Sequence, residues 1–201
     1  MAGKKRNHNG REQFAAADWL LAARKALVKH GILAVKVDRL ARSLRVTRGS
    51  FYWHFKSQKD LLDQLLNAWV STNTAPFERV LDLPTNAQGK FRAIVDLWLA
   101  ETEYDPKFDT AVREWARISS HVERVVRQCD EARIAVFENI FQGLGYTGAD
   151  ALVRARITYF HQVGYYALGI VESHERRRRL TPYYTRALLG TKAPPRRTRA
   201  R

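Results

Sequence analysis

The sequence predicts an all-α protein in which a small N-terminal domain of three helices precedes a larger helical domain. Apolar residues recur at helical spacing along most of the chain, as the buried faces of packed helices require. Glycine and proline are sparse, with 11 and 6 residues in a chain of 201. Runs of β-branched residues are also few, so strands are not favoured. The length suits a small domain joined to a larger one.

The formal net charge of +15 is distributed unevenly along the chain. Residues 1–60 carry a net charge of +10, residues 61–175 carry −5, and residues 176–201 carry +10. A basic end on a mildly acidic body indicates a polyanionic partner. No stretch approaches the roughly 20 apolar residues that span a bilayer, so we expect no membrane partner. The single cysteine, Cys129, fits a reducing, cytoplasmic location.

The N-terminal segment over residues 1–11 is polar and basic, and we expect it to be disordered. It is either an idle tail or an arm that orders along the minor groove of DNA. A first helix is predicted from about Asp18 to His30, and Gly31 follows it as a C-terminal cap. The inner face of this helix carries Trp19, Leu20, Ala23, Leu27 and Val28.

A helix, a tight turn and a second helix follow. The first of these helices begins near Asp38, whose carboxylate suits the positive end of the helix dipole. Thr47 offers a hydroxyl cap to the second helix, predicted over residues 48–55. Phe51 and Phe55 are four residues apart and share the inward face of that helix.

The remaining sides of the second helix are polar, cationic and aromatic, with Arg48, Gly49, Ser50, Tyr52, Trp53 and His54. Such a face suits a recognition helix in the major groove of DNA. The alternative is a surface hairpin with ordinary solvated charges. Three neighbouring amphipathic rings favour the DNA interpretation, because they can pack on sugars and donate to phosphates. An arginine in the first turn suits guanine, whose O6 and N7 acceptors match its fork.

From about Arg11 to Val70 the chain resembles the DNA-binding domain of the tetracycline-repressor (TetR) family. The resemblance is carried by His30-Gly31, Leu40-Ala41, Val46-Thr47-Arg48-Gly49-Ser50-Phe51-Tyr52 and His54-Phe55-Lys56-Ser57 leading to Leu61-Leu62. It implies a homodimeric transcriptional regulator, most often a repressor, that binds a pseudo-palindromic operator. It also implies that a small molecule in the C-terminal domain controls DNA binding.

Two positions depart from the family pattern. Arg45 stands in the turn where the family usually has glycine, and a left-handed arginine there would cost about 1 kcal/mol. Gln58 stands where the family usually has a phosphate-binding lysine, and Lys59 or Lys56 could supply the missing cation. The predicted DNA-binding residues are Lys36, Arg45, Thr47, Arg48, Gly49, Ser50, Tyr52, Trp53, His54, Gln58 and Lys59.

The sequence suggests four segments. These are a disordered basic arm over 1–11, a DNA-binding domain over 12–72 with its helix-turn-helix at about 36–55, a ligand-binding and dimerisation domain over 73–190, and a disordered basic tail over 191–201. A helix over about 58–74 links the two domains. Further helices are expected over about 89–104, from 105–106 onward, and over 121–144, 148–173 and 181–189.

Homodimerisation is predicted through the helices at about 148–173 and 181–189. Small residues on the longer helix would let a second helix approach closely, giving an isologous four-helix contact. These small residues are Ala151, Ala155, Thr158, Gly164, Ala167 and Gly169.

The body is rich in aromatic residues, most of which are expected to form its core. A few could instead line a cavity for a small apolar or aromatic molecule, together with polar groups aimed inward. The predicted ligand-binding residues are Trp98, Tyr104, Trp115, Phe137, Phe141, His161, Gln162 and Tyr165.

Catalysis is not expected, and no metal or cofactor is implied. The six histidines form no HExxH arrangement. Cys129 is followed by two acidic residues, which would raise the pKa of a thiol rather than activate it. A nonspecific architectural DNA-binding protein without a ligand remains the alternative, although such a protein has little use for a large acidic body lined with aromatics.

Overall fold

The computed structural model describes residues 15–190, and all regular secondary structure in that range is helical. The helices are α1 (Ala16–His30), α2 (Val37–Leu44), α3 (Arg48–Phe51), α4 (Gln58–Asn73), α5 (Ala75–Arg79), α6 (Ala87–Ala100), α7 (Pro106–Ala116), α8 (Ser120–Gly143), α9 (Gly148–Ala167) and α10 (His174–Leu189). Short 3-10 turns cover Ile32–Ala34 and Val80–Asp82. The predicted all-α fold is therefore confirmed. The expectations about the basic arm and the basic tail lie outside the described residues.

The chain divides into two compact units. Of the described residues, the first contains 15–69 and Lys107–Glu123, and the second contains Val70–Pro106 and 124–190. The chain passes from the first unit to the second within α4, returns before α7, and leaves again within α8. The sequence suggested one continuous body over residues 73–190, whereas the structure groups α7 with the N-terminal helices.

The first unit is organised around a small aromatic core. Trp19 packs edge-on against Phe51 with ring centroids 5.2 Å apart, and Phe51 stacks on Phe55 at the same distance. These three rings are at most 1% exposed, so α1 fixes the orientation of α3. As predicted, Gly31 ends α1 in a left-handed conformation with φ +74°.

Helix α7 belongs to the first unit, where its side chains contact α1 and Trp69 of α4. The Arg24 guanidinium lies 4.8 Å from the centre of the Phe108 ring. The Trp69 indole donates to the Asp109 carboxylate at 3.2 Å, and Arg113 donates to the same carboxylate at 2.8 Å. Asp109 is only 4% exposed, so its charge needs these partners.

The second unit is built on a larger aromatic core. Its buried side chains are Phe77, Val80, Phe91, Ile94, Trp98, Tyr104, Val136, Phe137, Ile140, Phe141, Tyr146, Ala151, Ala155 and Tyr159. Trp98 and Phe137 are close neighbours, with ring centroids 5.4 Å apart. The C-terminal end of α10 is fixed to this core, since the Tyr146 hydroxyl donates to the Leu189 carbonyl at 2.7 Å.

A buried polar network lies at the C-terminal end of α4. Arg133 on α8 is 1% exposed and donates to the Thr74 hydroxyl at 3.1 Å and to the Tyr159 hydroxyl at 3.2 Å. Tyr159 in turn donates to the Asp130 carboxylate at 2.5 Å. Asn73, fully buried, donates to the Asp105 carbonyl at 2.9 Å. The end of α4 is therefore held by Arg133 of α8, through Thr74, and by the segment before α7, through Asn73.

Helix α10 is longer than the sequence suggested and α9 is shorter. Pro182 was expected to open the last helix, because proline favours the first turn, but it lies inside α10. The helix begins instead at His174, where the Ser173 hydroxyl accepts a hydrogen bond from the Arg176 amide at 3.2 Å. Helix α9 ends at Ala167, six residues earlier than predicted, with Gly169 left-handed just beyond it.

The small residues on α9 do not form an open surface. Ala151, Ala155 and Thr158 are fully buried within the second unit. The exposed side of α9 instead carries large apolar residues, which are Val153, Ile157 and Phe160 with exposures of 49%, 54% and 58%. The prediction that Ala151, Ala155 and Thr158 face a partner is therefore wrong, because they are needed where α9 packs against its own unit, whereas Gly164 is half-buried and Ala167 is exposed.

None of the helices within residues 15–190 combines the length and the hydropathy that crossing a bilayer requires.

Candidate nucleic-acid interface and small-molecule cavity

The recognition segment is one helical turn rather than the two turns that the sequence predicted. Helix α3 covers Arg48–Phe51, and residues 52–54 continue as a turn in which the His54 amide bonds to the Phe51 carbonyl at 3.0 Å. The Thr47 side chain makes no capping hydrogen bond. The Thr47 backbone carbonyl instead accepts a hydrogen bond from the Ser50 hydroxyl at 2.9 Å. The prediction that the Thr47 hydroxyl caps the second helix is therefore wrong.

The turn between α2 and α3 contains a left-handed arginine. Arg45 has φ 57° and ψ 39°, and its amide bonds back to the Arg42 carbonyl at 3.1 Å. An L side chain in this conformation costs about 1 kcal/mol relative to glycine. The Arg45 side chain is exposed. The strained residue therefore carries a cation next to the recognition segment.

Arg48 is held from two sides at the surface. One terminal nitrogen donates to the Tyr52 hydroxyl at 3.3 Å, and the other lies 3.7 Å from the Asp38 carboxylate. The hydrogen bond with Tyr52, followed by the charge of Asp38, raises the pKa of Arg48 above its ordinary value. The fork is thus oriented in advance while remaining 61% exposed. Sequence reasoning missed Asp38 because ten residues and a turn separate it from Arg48.

The aromatic residues after Arg48 stand outside the core, as predicted. Trp53 is 74% exposed and Tyr52 is 51% exposed, whereas His54 is half-buried beside Phe55. Large exposed rings on a segment anchored by Phe51 and Phe55 form a firm amphipathic surface. This surface can pack on sugars and donate to phosphates.

The remaining predicted contact residues differ in how available they are. Lys36 is exposed just before α2, and Gly49 is exposed on α3. Lys59 is exposed but forms an ion pair with Asp63 at 2.5 Å. Gln58 is half-buried and donates to the Val35 carbonyl at 3.0 Å. The structure thus gives Gln58 an internal role, in which it ties the start of α4 to the segment before α2.

The start of α4 is fixed by a reciprocal pair of side-chain hydrogen bonds. The Ser57 hydroxyl accepts from the Asp60 amide at 3.1 Å, and the Asp60 carboxylate accepts from the Lys56 amide at 2.8 Å. Hydrogen bonds from Gln64 and from the Lys56 amide lower the pKa of Asp60. The predicted pairing of Ser57 with Asp60 is present, although the carboxylate reaches one residue further back than a capping box requires.

The second unit contains a small cavity of about 70 Å³ between α6, α9 and α10. Four of the predicted ligand-binding residues line it, namely Trp98, His161, Gln162 and Tyr165. Tyr104, Phe137 and Phe141 belong to the aromatic core instead, and Trp115 is buried in the first unit. Sequence reasoning missed the wall supplied by Glu172, Arg177, Thr181, Tyr184 and Thr185. Arg177 was missed because the last helix is predicted to begin only at residue 181, whereas α10 begins at His174.

Arg177 closes one end of the cavity by joining α10 to the end of α6. It forms an ion pair with Glu101 and donates to the Trp98 carbonyl at 2.7 Å and to the Tyr166 hydroxyl at 3.1 Å. Glu101 has φ 51° and terminates α6. Burial raises the pKa of Tyr166, which keeps its hydroxyl protonated. These contacts leave the arginine charge neutralised.

The polar groups on α9 are less completely paired. Gln162 is 8% exposed, and its amide nitrogen has no hydrogen-bond partner among the described residues. The His161 ring lies 4.7 Å from the Tyr184 ring, and burial lowers the pKa of His161. An unpaired buried donor costs about 1–3 kcal/mol, and among the described residues the Trp19 indole nitrogen and the Thr158 hydroxyl are in the same position.

Comparison with known proteins agrees with this geometry. Residues 20–65 match the family described as "Bacterial regulatory proteins, tetR family". A 60-residue segment is 35% identical to the Transposon Tn10 TetC protein of Escherichia coli, covering 26% of this chain. The match spans 30% of the length of that curated relative.

Solved structures extend the likeness of the fold to most of the chain. A TetR-family transcriptional regulator from Agrobacterium tumefaciens superposes with a TM-score of 0.68 at 16% identity, covering 86% of this chain and 96% of that one. A TetR-family transcriptional regulator from Streptomyces coelicolor gives 0.67 at 20% identity, covering 86% and 93%.

The described residues combine a helix-turn-helix segment, within the part of the chain that matches the tetR family, with a second helical unit. Residues 20–65 are therefore similar to the tetR family of bacterial regulatory proteins, and most of the chain shares its fold with solved TetR-family regulators.

Proposed function

We propose that the protein is a ligand-controlled transcriptional repressor that binds a pseudo-palindromic operator as a homodimer in the cytoplasm. The observation that carries the proposal is the oriented Arg48 fork, held by Asp38 and Tyr52 beside the exposed Trp53 ring. Such a fork can form paired hydrogen bonds with guanine in the major groove. The rings of Tyr52 and Trp53 and the exposed Lys36 supply contacts to the sugar-phosphate backbone of the DNA.

The proposed interface is the predicted set without Gln58. It comprises Lys36, Arg45, Thr47, Arg48, Gly49, Ser50, Tyr52, Trp53, His54 and Lys59. Arg48 and Ser50 face the bases, and the other residues contact the sugar-phosphate backbone of the DNA. Gln58 is left out because its amide already bonds to the Val35 carbonyl.

The exposed apolar side of α9 supports the homodimer. Val153, Ile157 and Phe160 follow one another at intervals of four and three residues, which places them on one side of a helix. An isologous contact would bury this stripe against the same stripe of a second copy, together with α10. An exposed stripe of this kind on a helix marks an interaction surface.

Ligand control requires a path from the cavity to the DNA-binding unit. Tyr159 lies one helical turn before Gln162 on α9 and is bonded through Arg133 to Thr74. Thr74 directly follows α4, and that continuous helix begins at Gln58 in the first unit. A ligand that shifts α9 would act on α4 through this network. A preference of about 3 kcal/mol for one arrangement changes operator affinity on the order of a hundredfold.

The proposal is tested by selecting binding sites from a random duplex library and measuring mass with and without the selected site. We expect an inverted repeat with half-sites about one helical turn apart, bound by two copies of the chain. Enrichment of no sequence at all would contradict the proposal and favour a nonspecific architectural role. A monomer mass at micromolar concentration without DNA would contradict the dimer.

A further inference from the structure

We infer that the groove between α1 and α2 is a docking site for a partner protein, which binds there through an acidic amphipathic helix. The groove has a volume of about 720 Å³ and is lined by residues of the first unit. The described residues that line it all lie outside the proposed DNA interface. Docking there is therefore additional to the proposed function and does not depend on it.

Two exposed leucines supply the apolar part of the groove. Leu21 on α1 is 49% exposed, and Leu33 on the 3-10 turn between α1 and α2 is 73% exposed. The groove is also lined by the half-buried Ala22 and Ala26, whose short side chains leave space beside α1. Single exposed leucines are common, but two on one concave surface are typical of a site that receives apolar side chains.

Cations on both helices line the same groove. Lys25 and Lys29 stand one helical turn apart on α1, and Arg39 lies on α2. All three are exposed, and within residues 15–190 none of them forms an ion pair. The acidic residue that lines the groove, Asp18, already accepts a hydrogen bond from the Ala15 amide at 2.8 Å. The groove therefore presents positive charge that the described residues do not neutralise.

The stability of the two helices does not explain these cations. A cation in the last turn of a helix interacts favourably with the helix dipole, which accounts for Lys29 at the end of α1. Lys25 lies before that last turn, and Arg39 lies in the first turn of α2, where the dipole disfavours a positive charge. A partner with carboxylates would neutralise all three charges, so charge complementarity favours an acidic occupant.

The shape of the groove favours a helix as that occupant. From Leu21 to Lys29 the wall formed by α1 rises about 12 Å, which matches about two turns of a docked helix. An amphipathic helix can insert apolar side chains between Leu21 and Leu33 while its carboxylates face the cations. A flat bilayer surface does not follow a concave groove, and a DNA backbone carries no apolar side chains. Residues 1–14 and 191–201 are both rich in lysine and arginine, so neither segment of this chain suits the groove.

A designed peptide tests the inference by fluorescence anisotropy with the full-length protein. The peptide has about fifteen residues, long enough to be partly helical alone, with leucines on one face and glutamates on the others. One control peptide has the same composition in an order that forms no leucine face, and a second has lysine in place of each glutamate. The acidic amphipathic peptide should bind at least about tenfold more tightly than either control. Its affinity should fall as salt is added, because ion pairs at a surface are screened.

Two changes at exposed positions alter the groove itself. Leu33→Ser removes an apolar contact, and the double variant Lys25→Glu with Lys29→Glu reverses the charge of one wall. Each should weaken binding of the acidic amphipathic peptide by about tenfold or more. The matched controls Leu83→Ser and Arg117→Glu change an exposed leucine and an exposed arginine outside the groove and should bind the peptide as the wild type does. Circular dichroism checks that each variant is folded, and either groove variant tests the site if the other unfolds.

Several results would overturn the inference. If the acidic amphipathic peptide binds no more tightly than its controls, or if a folded groove variant binds it as the wild type does, the groove is not its site. Leu33→Ser should leave the affinity for duplex DNA and for vesicles of phosphatidylglycerol and phosphatidylcholine unchanged. If it weakens either interaction as much as peptide binding, the surface belongs to DNA or to a membrane. If it lowers the mass measured by light scattering, a second copy of this chain covers the groove.

Discussion

The polar groups of the DNA interface and those of the cavity are supported in different ways. Arg48, Asp38 and Tyr52 lie at the surface, where water competes for every hydrogen bond, and the buried rings beneath them hold the segment in place. Around the cavity, Arg177 and Glu101 are partly withdrawn from water and hold two helices together directly. The first site can therefore lose a polar contact without losing its fold, whereas loss of the Arg177–Glu101 pair should destabilise the second unit.

The largest expected effect on stability distinguishes the buried rings beneath the DNA interface from the exposed rings that contact DNA. Phe51→Ala removes a fully buried ring from the Trp19 and Phe55 cluster and should lower the free energy of unfolding by about 3–5 kcal/mol. Trp53→Ala, two residues further along, should change it by less than about 0.5 kcal/mol while weakening DNA binding. Urea unfolding and operator titration on both variants measure the contrast. Equal losses of stability would show that Trp53 also belongs to the core.

The strained turn offers a change that should stabilise the first unit. Arg45→Gly relieves the left-handed backbone at φ 57° and should add about 1 kcal/mol to the free energy of unfolding. If the arginine also touches phosphate, the same variant should lower the salt slope of DNA binding by about one unit. Thermal unfolding and titrations at several salt concentrations give both quantities. A destabilised variant would show that the Arg45 side chain has a structural role.

Asp38→Asn should reveal what an acidic residue does on a DNA-binding surface. Removing its charge reduces repulsion of the phosphates and frees the Arg48 fork. Random DNA should therefore bind a few-fold more tightly, while the ratio of operator to random affinity falls. Competition binding with the two DNAs measures this ratio. An unchanged ratio would mean that Asp38 does not position Arg48.

The smallest effect concerns His161 beside the cavity. Its pKa is lowered in the folded protein, so the unfolded chain takes up a proton more readily. Stability is therefore fully present above the unfolded pKa of about 6.5 and decreases as the pH falls below it. His161→Phe should remove this decrease, whereas His121→Gln, at an exposed site, should keep it. Melting temperatures measured between pH 7.5 and pH 5 would contradict the account if both variants behaved alike.

The difference between the sites also explains how far the sequence could be interpreted. The DNA interface lies within one short stretch, so Phe51, Phe55 and the rings outside them could be assigned from helical spacing and from the family resemblance. The Asp38–Arg48 contact could not be inferred without the conformation of the turn between α2 and α3. That conformation was hard to predict because Arg45 stands where the family usually has glycine. The cavity joins residues from α6 and α10 that are almost ninety positions apart. His161 and Gln162 could be proposed because they are polar residues among apolar neighbours, but the sequence could not place Arg177 or Tyr184 beside them.

The account depends most on Arg48, which should contact a base while its neighbours contact the sugar-phosphate backbone of the DNA. The most direct test is the binding of wild-type, Arg48→Ala and Lys36→Ala proteins to a panel of single-base variants of the selected operator. Arg48→Ala should cost about 1–3 kcal/mol on the operator and relax preference at one base pair in each half-site, whereas Lys36→Ala should weaken all sequences alike. An Arg48→Ala protein that loses the same affinity for every variant would contradict the account and place Arg48 on the backbone.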